Sequence, residues 1–373
     1  MQINKVEAIP INVPYPVPVT ISTGTLYVQE SVLVRITADD GTIGLGETQP
    51  IPFFQGCAET QDTVLTLVRS VYTPLLLGQD PFDIEKLNQD MERALRGGEY
   101  ARAAVGDALY DLVARALDIP LYKLLGGRYR DRIPCVWSIG MKPTQAMADE
   151  ARRELDRGYF LLKCKIGAPD PDTDVANVAA IREALGPDVS FRVDANAGLR
   201  YSEALARLKR MVGPYSLEFV EQPVAIWDLD GLARLSDVLC VPIMADESAN
   251  SIHAVIELVK RKAASIIDIK LAKMGGIYSA RKIAAIADAA GIPLYAGGQV
   301  ATSVGAATAA HFFAATWNVI GGDFQLGPDG WLAADIVRKP LQVKDGYALV
   351  PEGGPGIGVE LDEEKLEKVA VKK

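Results

Sequence analysis

Five stretches decide the fold: Tyr159-Phe160-Leu161-Leu162-Lys163-Cys164-Lys165, Val189-Ser190-Phe191-Arg192-Val193-Asp194, Ser216-Leu217-Glu218-Phe219-Val220-Glu221, Val241-Pro242-Ile243-Met244-Ala245-Asp246 and Ser265-Ile266-Ile267-Asp268-Ile269-Lys270. Each is a short apolar run that reads as a β-strand and ends in a charged residue. From Lys165 the charged ends recur at Asp194, Glu221, Asp246 and Lys270, at spacings of 29, 27, 25 and 24 residues. One strand, one helix and two loops take about 30 residues. The five ends therefore lie on consecutive strands of a repeating β/α unit, all at the same end. In a (β/α)8 barrel the C-terminal strand ends converge on one pocket.

Working outward, Ile133–Ile139 reads as strand one, with a helix from Thr144. Ile292–Ala296 reads as strand seven and Thr316–Ile320 as strand eight. Strands alternating with helices predict a parallel barrel. Residues 1–50 alternate as strands, with a hairpin signal at Asp39-Asp40-Gly41-Thr42 and a second arm at Gly44-Leu45-Gly46-Glu47. Thr20–Thr25, small and polar, reads as a mobile loop. Residues 60–125 carry helical spacing and end at Leu124-Leu125-Gly126-Gly127, a glycine stop. The expected organisation is an α+β domain over 1–128, a barrel over 129–338 and a segment over 339–373 that returns to the first domain.

The chain has 373 residues, 49% hydrophobic and 23% charged, with net charge −9. That balance suits a barrel plus a smaller domain and disfavours nucleic acid or an anionic membrane as partner. No apolar stretch approaches the roughly 20 residues that span a bilayer. Met1-Gln2-Ile3-Asn4-Lys5-Val6 lacks the pattern of a signal peptide. Cys57, Cys135, Cys164 and Cys240 form no CxxC pair, so reduced, mostly buried thiols in a cytoplasmic protein are expected. Cys164, on the strand face opposite its flanking lysines, reads as a packing residue.

Three carboxylates at strand ends, Asp194, Glu221 and Asp246, can hold a hard divalent cation such as Mg²⁺. His253 and His311 lie in helical segments and form no cluster, which disfavours zinc. Lys163 and Lys165 share parity and face the pocket, where close ammonium groups depress one another and favour a neutral amine. Strands two and six are opposite in an eight-stranded barrel, so Lys165 and Lys270 face each other across the metal. An internal salt-bridge network accounts for any one of these residues better than for all five sites. The chemistry implied is removal of an α-proton beside a carboxylate. The metal stabilises the enediolate, and one lysine takes the proton while the other returns it or stabilises charge.

These residues resemble the enolase superfamily, in its muconate-lactonizing-enzyme subgroup. The matching motifs are Lys163-Cys164-Lys165, Asp194-Ala195-Asn196, Glu221-Gln222-Pro223, Ala245-Asp246-Glu247-Ser248 and Lys270-Leu271-Ala272-Lys273-Met274-Gly275-Gly276, together with Gly44–Glu47 and Leu124–Gly127. The resemblance spans essentially the whole chain. It implies an α+β capping domain over a modified (β/α)7β barrel and Mg²⁺, with Mn²⁺ as a substitute, on Asp194, Glu221 and Asp246. It further implies acid/base Lys165 and Lys270, and a Lys163 that contacts the substrate carboxylate and tunes Lys165. Asn196 and Glu247 support the site, and loops near 20–29 and 50–56 close over a small-molecule carboxylate. A cytoplasmic homo-oligomer, dimer to octamer, is expected.

The resemblance departs in two places. Where the family often carries a glutamate after strand seven, Ala301 stands within Gly297–Gly305. Dipeptide epimerases resemble one another in an Asp-x-Asp at the strand-eight end. Here Phe324-Gln325-Leu326 precedes Gly327-Pro328, which weighs against that activity. Two versions of an isomerase stay open: a racemase or epimerase of an N-substituted amino acid, and a cycloisomerase of a muconate-like diacid. A dehydratase resembling o-succinylbenzoate synthase and a non-catalytic metal–carboxylate binder are the alternatives. Tyr27, Phe53, Phe54 and Trp317 are candidate lid aromatics, against ordinary core packing, and Gln299 is a further substrate-binding candidate. No lid arginine is evident for a second carboxylate, which tilts the reading toward racemisation.

Overall fold

The computed structural model describes residues 1–298, 300–324 and 330–372. The chain opens with a three-stranded antiparallel sheet: β1 (Ile3–Ile21), β2 (Gly24–Ala38) and β3 (Ile43–Thr48). The β1–β2 ribbon runs from Ile3↔Ala38 to Ile21↔Gly24. Its register breaks between Pro14 and Val19, where Pro16 and Pro18 have no N–H to give the ladder. The stretch expected to be a loop, Thr20–Thr25, is instead the tip of this ribbon, because Thr20 pairs with Thr25 and only Ser22 and Thr23 turn. β-Branched residues carry the pairing almost to the turn.

Helices α1 (Gln61–Leu67), α2 (Thr73–Leu76), α3 (Ile84–Ala94), α4 (Glu99–Ala116) and α5 (Leu121–Leu124) follow, with a π-helical turn over Val68–Tyr72. α4 is buried along nearly its whole length and lies on the sheet. The Gly44-x-Gly46 pattern has a steric cause. A Cβ at Gly44 would stand 2.2 Å from the Ala108 carbonyl, and one at Gly46 2.0 Å from that of Ala104. Only glycine lets β3 come this close to the α4 backbone.

The barrel strands are β4 (Arg132–Ile139), β5 (Leu161–Lys165), β6 (Ser190–Asp194), β7 (Val220–Glu221), β8 (Ile243–Ala245), β9 (Ile266–Ile269), β10 (Leu294–Ala296) and β11 (Val319–Asp323). They pair in chain order and in parallel, and β11 returns to β4 to close the barrel. Between them run α6 (Thr144–Asp156), α7 (Pro171–Leu185), α8 (Tyr201–Met211), α9 (Leu229–Val238), α10 (Ile252–Arg261), α11 (Leu271–Met274) with α12 (Gly276–Ala289), and α13 (Ser303–Ala314). The hairpin β12 (Val343–Lys344) and β13 (Tyr347–Leu349) adds antiparallel to β4. α14 (Glu363–Val369) then returns to β1, where Ile11 bridges Ala370 and the Val371 N–H donates to the Pro10 carbonyl at 2.9 Å. This is the expected (β/α)7β barrel under an antiparallel cap.

Strand period sets what the barrel interior holds. Val136, Leu161, Phe219, Met244, Ile266 and Tyr295 form one buried cluster. Two residues further along, on the same face, come Lys163, Glu221, Asp246 and Asp268. An apolar floor thus supports a layer of charge.

Strand eight lies three residues later than the sequence predicts. Thr316-Trp317-Asn318 is the turn before β11, and Gly321-Gly322 lie inside the strand. A Cβ at Gly322 would meet that of Ala296 at 2.7 Å, so the tight approach of β10 selects glycine there. Trp317 is consequently at the N-terminal end of β11, 58% exposed, and its Nε1–H donates to Asp288. It is not a lid residue, because the predicted pocket lies at the other end of that strand. Among the described residues no helix is long and apolar enough to cross a membrane. The cysteines form no disulfide; Cys135 and Cys164 are buried, Cys57 is half-buried and Cys240 is exposed.

Candidate active site

The strand ends bring the predicted residues together. Lys165 is the register partner of Asp194, and Asp194 that of Glu221, which places three charged residues in a row across β5, β6 and β7. Lys165 pairs with Asp194 Oδ2. Lys163 Nζ lies 2.8 Å from Glu221 Oε2 and 3.7 Å from Asp194 Oδ2. Lys270 Nζ lies 2.5 Å from Asp246 Oδ2. β5 and β9 are separated by β6, β7 and β8 on one side and by β10, β11 and β4 on the other, so Lys165 and Lys270 flank the acids from opposite walls.

Three members of this cluster were not singled out as site residues in the sequence. Asp268, on β9, is 1% exposed, and its carboxylate oxygen lies within 4.8 Å of those of Glu221 and Asp246. Lys273, on α11, donates to the Asp246 carbonyl at 2.5 Å and pairs with its carboxylate. Asp323, at the end of β11, accepts from Lys163 at 2.7 Å and from the Tyr295 hydroxyl at 3.3 Å. Parity would have found Asp268, two residues before Lys270 on the same face. The misplaced strand eight hid Asp323. Gln222 also acts here: its Oε1 accepts from the Asp246 and Ser248 N–H groups at 3.0 and 3.1 Å, tying the ends of β7 and β8.

The remaining candidates divide. Asn196 donates from its backbone to Asp194 Oδ1 at 2.8 Å and from Nδ2 to Glu247 Oε1 at 3.2 Å, so both residues sit in the cluster. Asn196 and Gln222 hold positive φ, 44° and 31°, at the strand ends. Phe54 is buried, its ring centroid 4.8 Å from Lys270 Nζ. Tyr27 is 65% exposed on β2, and no contact joins it to the charged cluster among the described residues. Gln299 and the Gln325–Pro328 part of the strand-eight motif lie outside the described residues. His253 is exposed on α10, whereas His311 is buried in α13, stacked on Tyr122 and held down to about 4 by burial.

The hairpin tip and the 50–56 segment rest on the barrel mouth. Ser22 Oγ donates to the Ala195 carbonyl at 2.7 Å, and Gln55 Nε2 to that of Ala197 at 3.0 Å. A Cβ on Gly24 would stand 2.9 Å from the Phe53 ring, so the two cap segments also pack on each other. Glu47, which ends the Gly44–Glu47 motif, accepts from the Thr302 N–H at 3.1 Å and the Gly305 N–H at 3.0 Å. It joins the cap to the start of α13.

The electrostatics follow from crowding. Asp194, Glu221, Asp246, Glu247, Asp268 and Asp323 are all buried, as are Lys163, Lys165, Lys270 and Lys273. Six acids against four lysines leave a formal excess of two negative charges. Burial, and then the Asp194 carboxylate, push Glu221 up to about 8. Burial and the neighbouring Asp246 raise Glu247 and Asp268 well above the usual carboxylate range. Asp246 itself is held well below that range: burial opposes its charge, but Lys270 and Lys273 outweigh burial. Burial also works against the charge of Lys163 and Lys270, yet the surrounding carboxylates hold both well above an ordinary lysine. Lys163 is therefore not depressed by a neighbouring ammonium as expected, since the acids around it outweigh that effect. Glu221 Oε1, Glu247 Oε2 and both Asp268 oxygens are buried without a hydrogen-bond partner. An all-oxygen donor set in which acids outnumber lysines fits a hard divalent cation.

Beside Lys270 a cavity of about 40 Å³ extends toward the cap. Among the described residues its charged lining is Glu47, Asp107, Lys270 and Asp323, with no arginine, and Gly298 and Ala301 keep it open.

Comparison with known proteins agrees with this architecture. Residues 5–126 match the mandelate racemase / muconate lactonizing enzyme N-terminal domain, and residues 146–365 the enolase C-terminal domain-like family. The L-Ala-D/L-Glu epimerase of Bacillus subtilis is 36% identical over 360 residues, covering 96% of this chain and 97% of that one. The crystal structure of 2-chloromuconate cycloisomerase from Rhodococcus opacus superposes with TM-score 0.95 at 34% identity, covering 100% of both chains. That of N-succinyl Arg/Lys racemase from Bacillus cereus gives TM-score 0.95 at 30% identity, covering 100% of this chain and 99% of the other.

Proposed function

The chain belongs to the mandelate racemase / muconate lactonizing enzyme family of the enolase superfamily and is an isomerase, and on that premise we propose that it racemises or epimerises an N-substituted amino acid by moving its α-proton between Lys165 and Lys270. The observation that carries this is the placement of two buried lysines on opposite walls of one acid cluster, each at hydrogen-bond distance from one of its carboxylates.

Asp194, Glu221 and Asp246 would hold Mg²⁺, with Asn196, Gln222 and Glu247 orienting them. When bound, Mg²⁺ supplies positive charge beside the substrate carboxylate, where negative charge builds as the α-proton leaves. Lys165 then takes the proton from one face of the α-carbon and Lys270 delivers one to the other. Lys163, between Glu221 and Asp323, keeps the acids spaced and lends charge to the substrate carboxylate. Phe54 and the cap segments over residues 20–29 and 50–56 exclude water from the reacting faces.

A cycloisomerase is the second reading, favoured by full-length superposition on 2-chloromuconate cycloisomerase. One experiment separates the two. The enzyme is incubated with Mg²⁺ in D₂O with N-succinyl amino acids, L-Ala-D-Glu, L-Ala-L-Glu, cis,cis-muconate and 2-chloromuconate, and followed by NMR. Inversion with deuterium at the α-carbon is expected, with Lys165→Ala and Lys270→Ala each exchanging only one enantiomer. Lactone formation without inversion supports the second reading, and normal racemisation by both variants refutes the roles given to the lysines.

A further inference from the structure

Asp268 belongs to neither the expected cation ligands nor the acid/base pair, yet it sits at the centre of the charged layer. It stands on the inward face of β9 two residues before Lys270, so both side chains leave the same wall. Its Oδ2 is 3.7 Å from Lys270 Nζ and 3.7 Å from Lys273 Nζ. It is 1% exposed, and neither oxygen has a hydrogen-bond partner. The neighbouring strand makes room for it. A Cβ at Gly297, just past β10, would stand 2.2 Å from Asp268 Oδ1, so any other residue there would displace the carboxylate. A buried carboxylate with space kept for it, near two ammonium groups but hydrogen-bonded to neither, is costly unless another state of the site uses it.

We propose that Asp268 is the positioning residue of Lys270, accepting its N–H and aiming it at the α-carbon from the wall opposite Lys165. The proposal rests on the acid/base reading of Lys270 given above. Lys270 has two carboxylates within reach among the described residues, Asp246 at 2.5 Å and Asp268 at 3.7 Å. A cation held by Asp246 would compete with the Lys270 ammonium for that carboxylate, because like charges repel across one acceptor. Asp268 then remains as its acceptor, and a movement of about 1 Å brings the pair to ordinary hydrogen-bond distance. The Phe54 ring, 4.8 Å from Lys270 Nζ, limits where the ammonium can otherwise go. Lys165 has no equivalent device: its one ion-pair partner among the described residues is Asp194. The two walls therefore differ, and loss of Asp268 should be felt on one face alone.

The test uses Asp268→Ala and Asp268→Asn with Mg²⁺ in D₂O and both enantiomers of N-succinyl-lysine as probe. In Asp268→Ala, exchange of the enantiomer whose α-proton faces Lys270 should fall by about 100-fold, the loss that a 1 Å misplacement produces. Exchange from the Lys165 face should be unchanged. Asp268→Asn keeps an acceptor oxygen and should recover part of the loss. Mg²⁺ affinity of the substrate-free protein, measured by calorimetry, should not change in either variant. Equal losses on both faces, or weakened Mg²⁺ binding, would overturn the proposal, the latter by making Asp268 a metal ligand. Absence of exchange by the unmodified enzyme on either face, with this probe and every substrate above, would instead refute the parent reading and this one with it.

Discussion

Replacing Asp107 with asparagine should stabilise the protein above neutral pH. Asp107 lies on α4 of the cap, fully within the interface, and its Oδ1 accepts from the Ile277 N–H of α12 at 2.8 Å. Burial pushes its carboxyl from 3.8 up to about 7, against the pull of that N–H. The folded protein therefore keeps a proton that the unfolded chain releases at lower pH. With more protons bound in the folded state, stability falls as pH rises from about 4 through about 7, and below about 4 the cost is absent. Three units at about 1.36 kcal/mol each cost about 4 kcal/mol. At roughly 2.1 cal/mol/K per residue, 373 residues give an unfolding entropy of about 0.8 kcal/mol/K, so the midpoint moves by about 5 °C. Asparagine retains the acceptor oxygen for Ile277. Thermal unfolding of both proteins from about pH 4 to about pH 8.5 should show equal midpoints at the acid end and Asp107→Asn higher by about 5 °C at the other. Parallel profiles would show that Asp107 ionises at its ordinary value and that its burial carries no such cost.

Asp194→Asn, Glu221→Gln and Asp246→Asn should each lower turnover by more than about 100-fold while circular dichroism stays unchanged, since each removes an acid from the expected cation site. EDTA should do the same reversibly, and full activity of metal-free enzyme would refute the metal assignment. Ligand binding should protect residues 20–29 and 50–56 from hydrogen exchange, because their anchors at Ala195 and Ala197 belong to the barrel mouth. Phe54→Leu should change the relative turnover of different substrates at a stability loss below about 1.5 kcal/mol. An unchanged substrate preference would leave Phe54 as a packing residue.

The gathering of these side chains at one rim was legible in the sequence where the signal is local. The spacing of Lys165, Asp194, Glu221, Asp246 and Lys270 is a property of consecutive β/α units, and strand parity places Lys163 beside Lys165. The same parity put Asp268 within reach of the reading, but an acid inside an apolar run gives no sign of its neighbours. Strand eight was misplaced because Thr316-Trp317-Asn318 has strand-forming residues and Gly321-Gly322 looks like a break. The glycines answer to Ala296 on the adjacent strand, a contact of long sequence separation. That error removed Asp323 from view and put Trp317 at the wrong end of the barrel.

What the sequence by itself determined is the repeat, and with it a parallel barrel carrying carboxylates and lysines at one rim. A unit of strand, helix and loops has a length set by local geometry, so its period is legible in one dimension. Which charges meet was decided only by closure of the barrel. Pairing of β11 with β4 fixes the circumference, sets Lys165 and Lys270 on opposite walls and seals six acids and four lysines away from water. The surplus of acids over lysines, the raised acids and the Asp268 carboxylate without a hydrogen bond exist only after that burial, because they follow from distances across the barrel and from the low dielectric inside it.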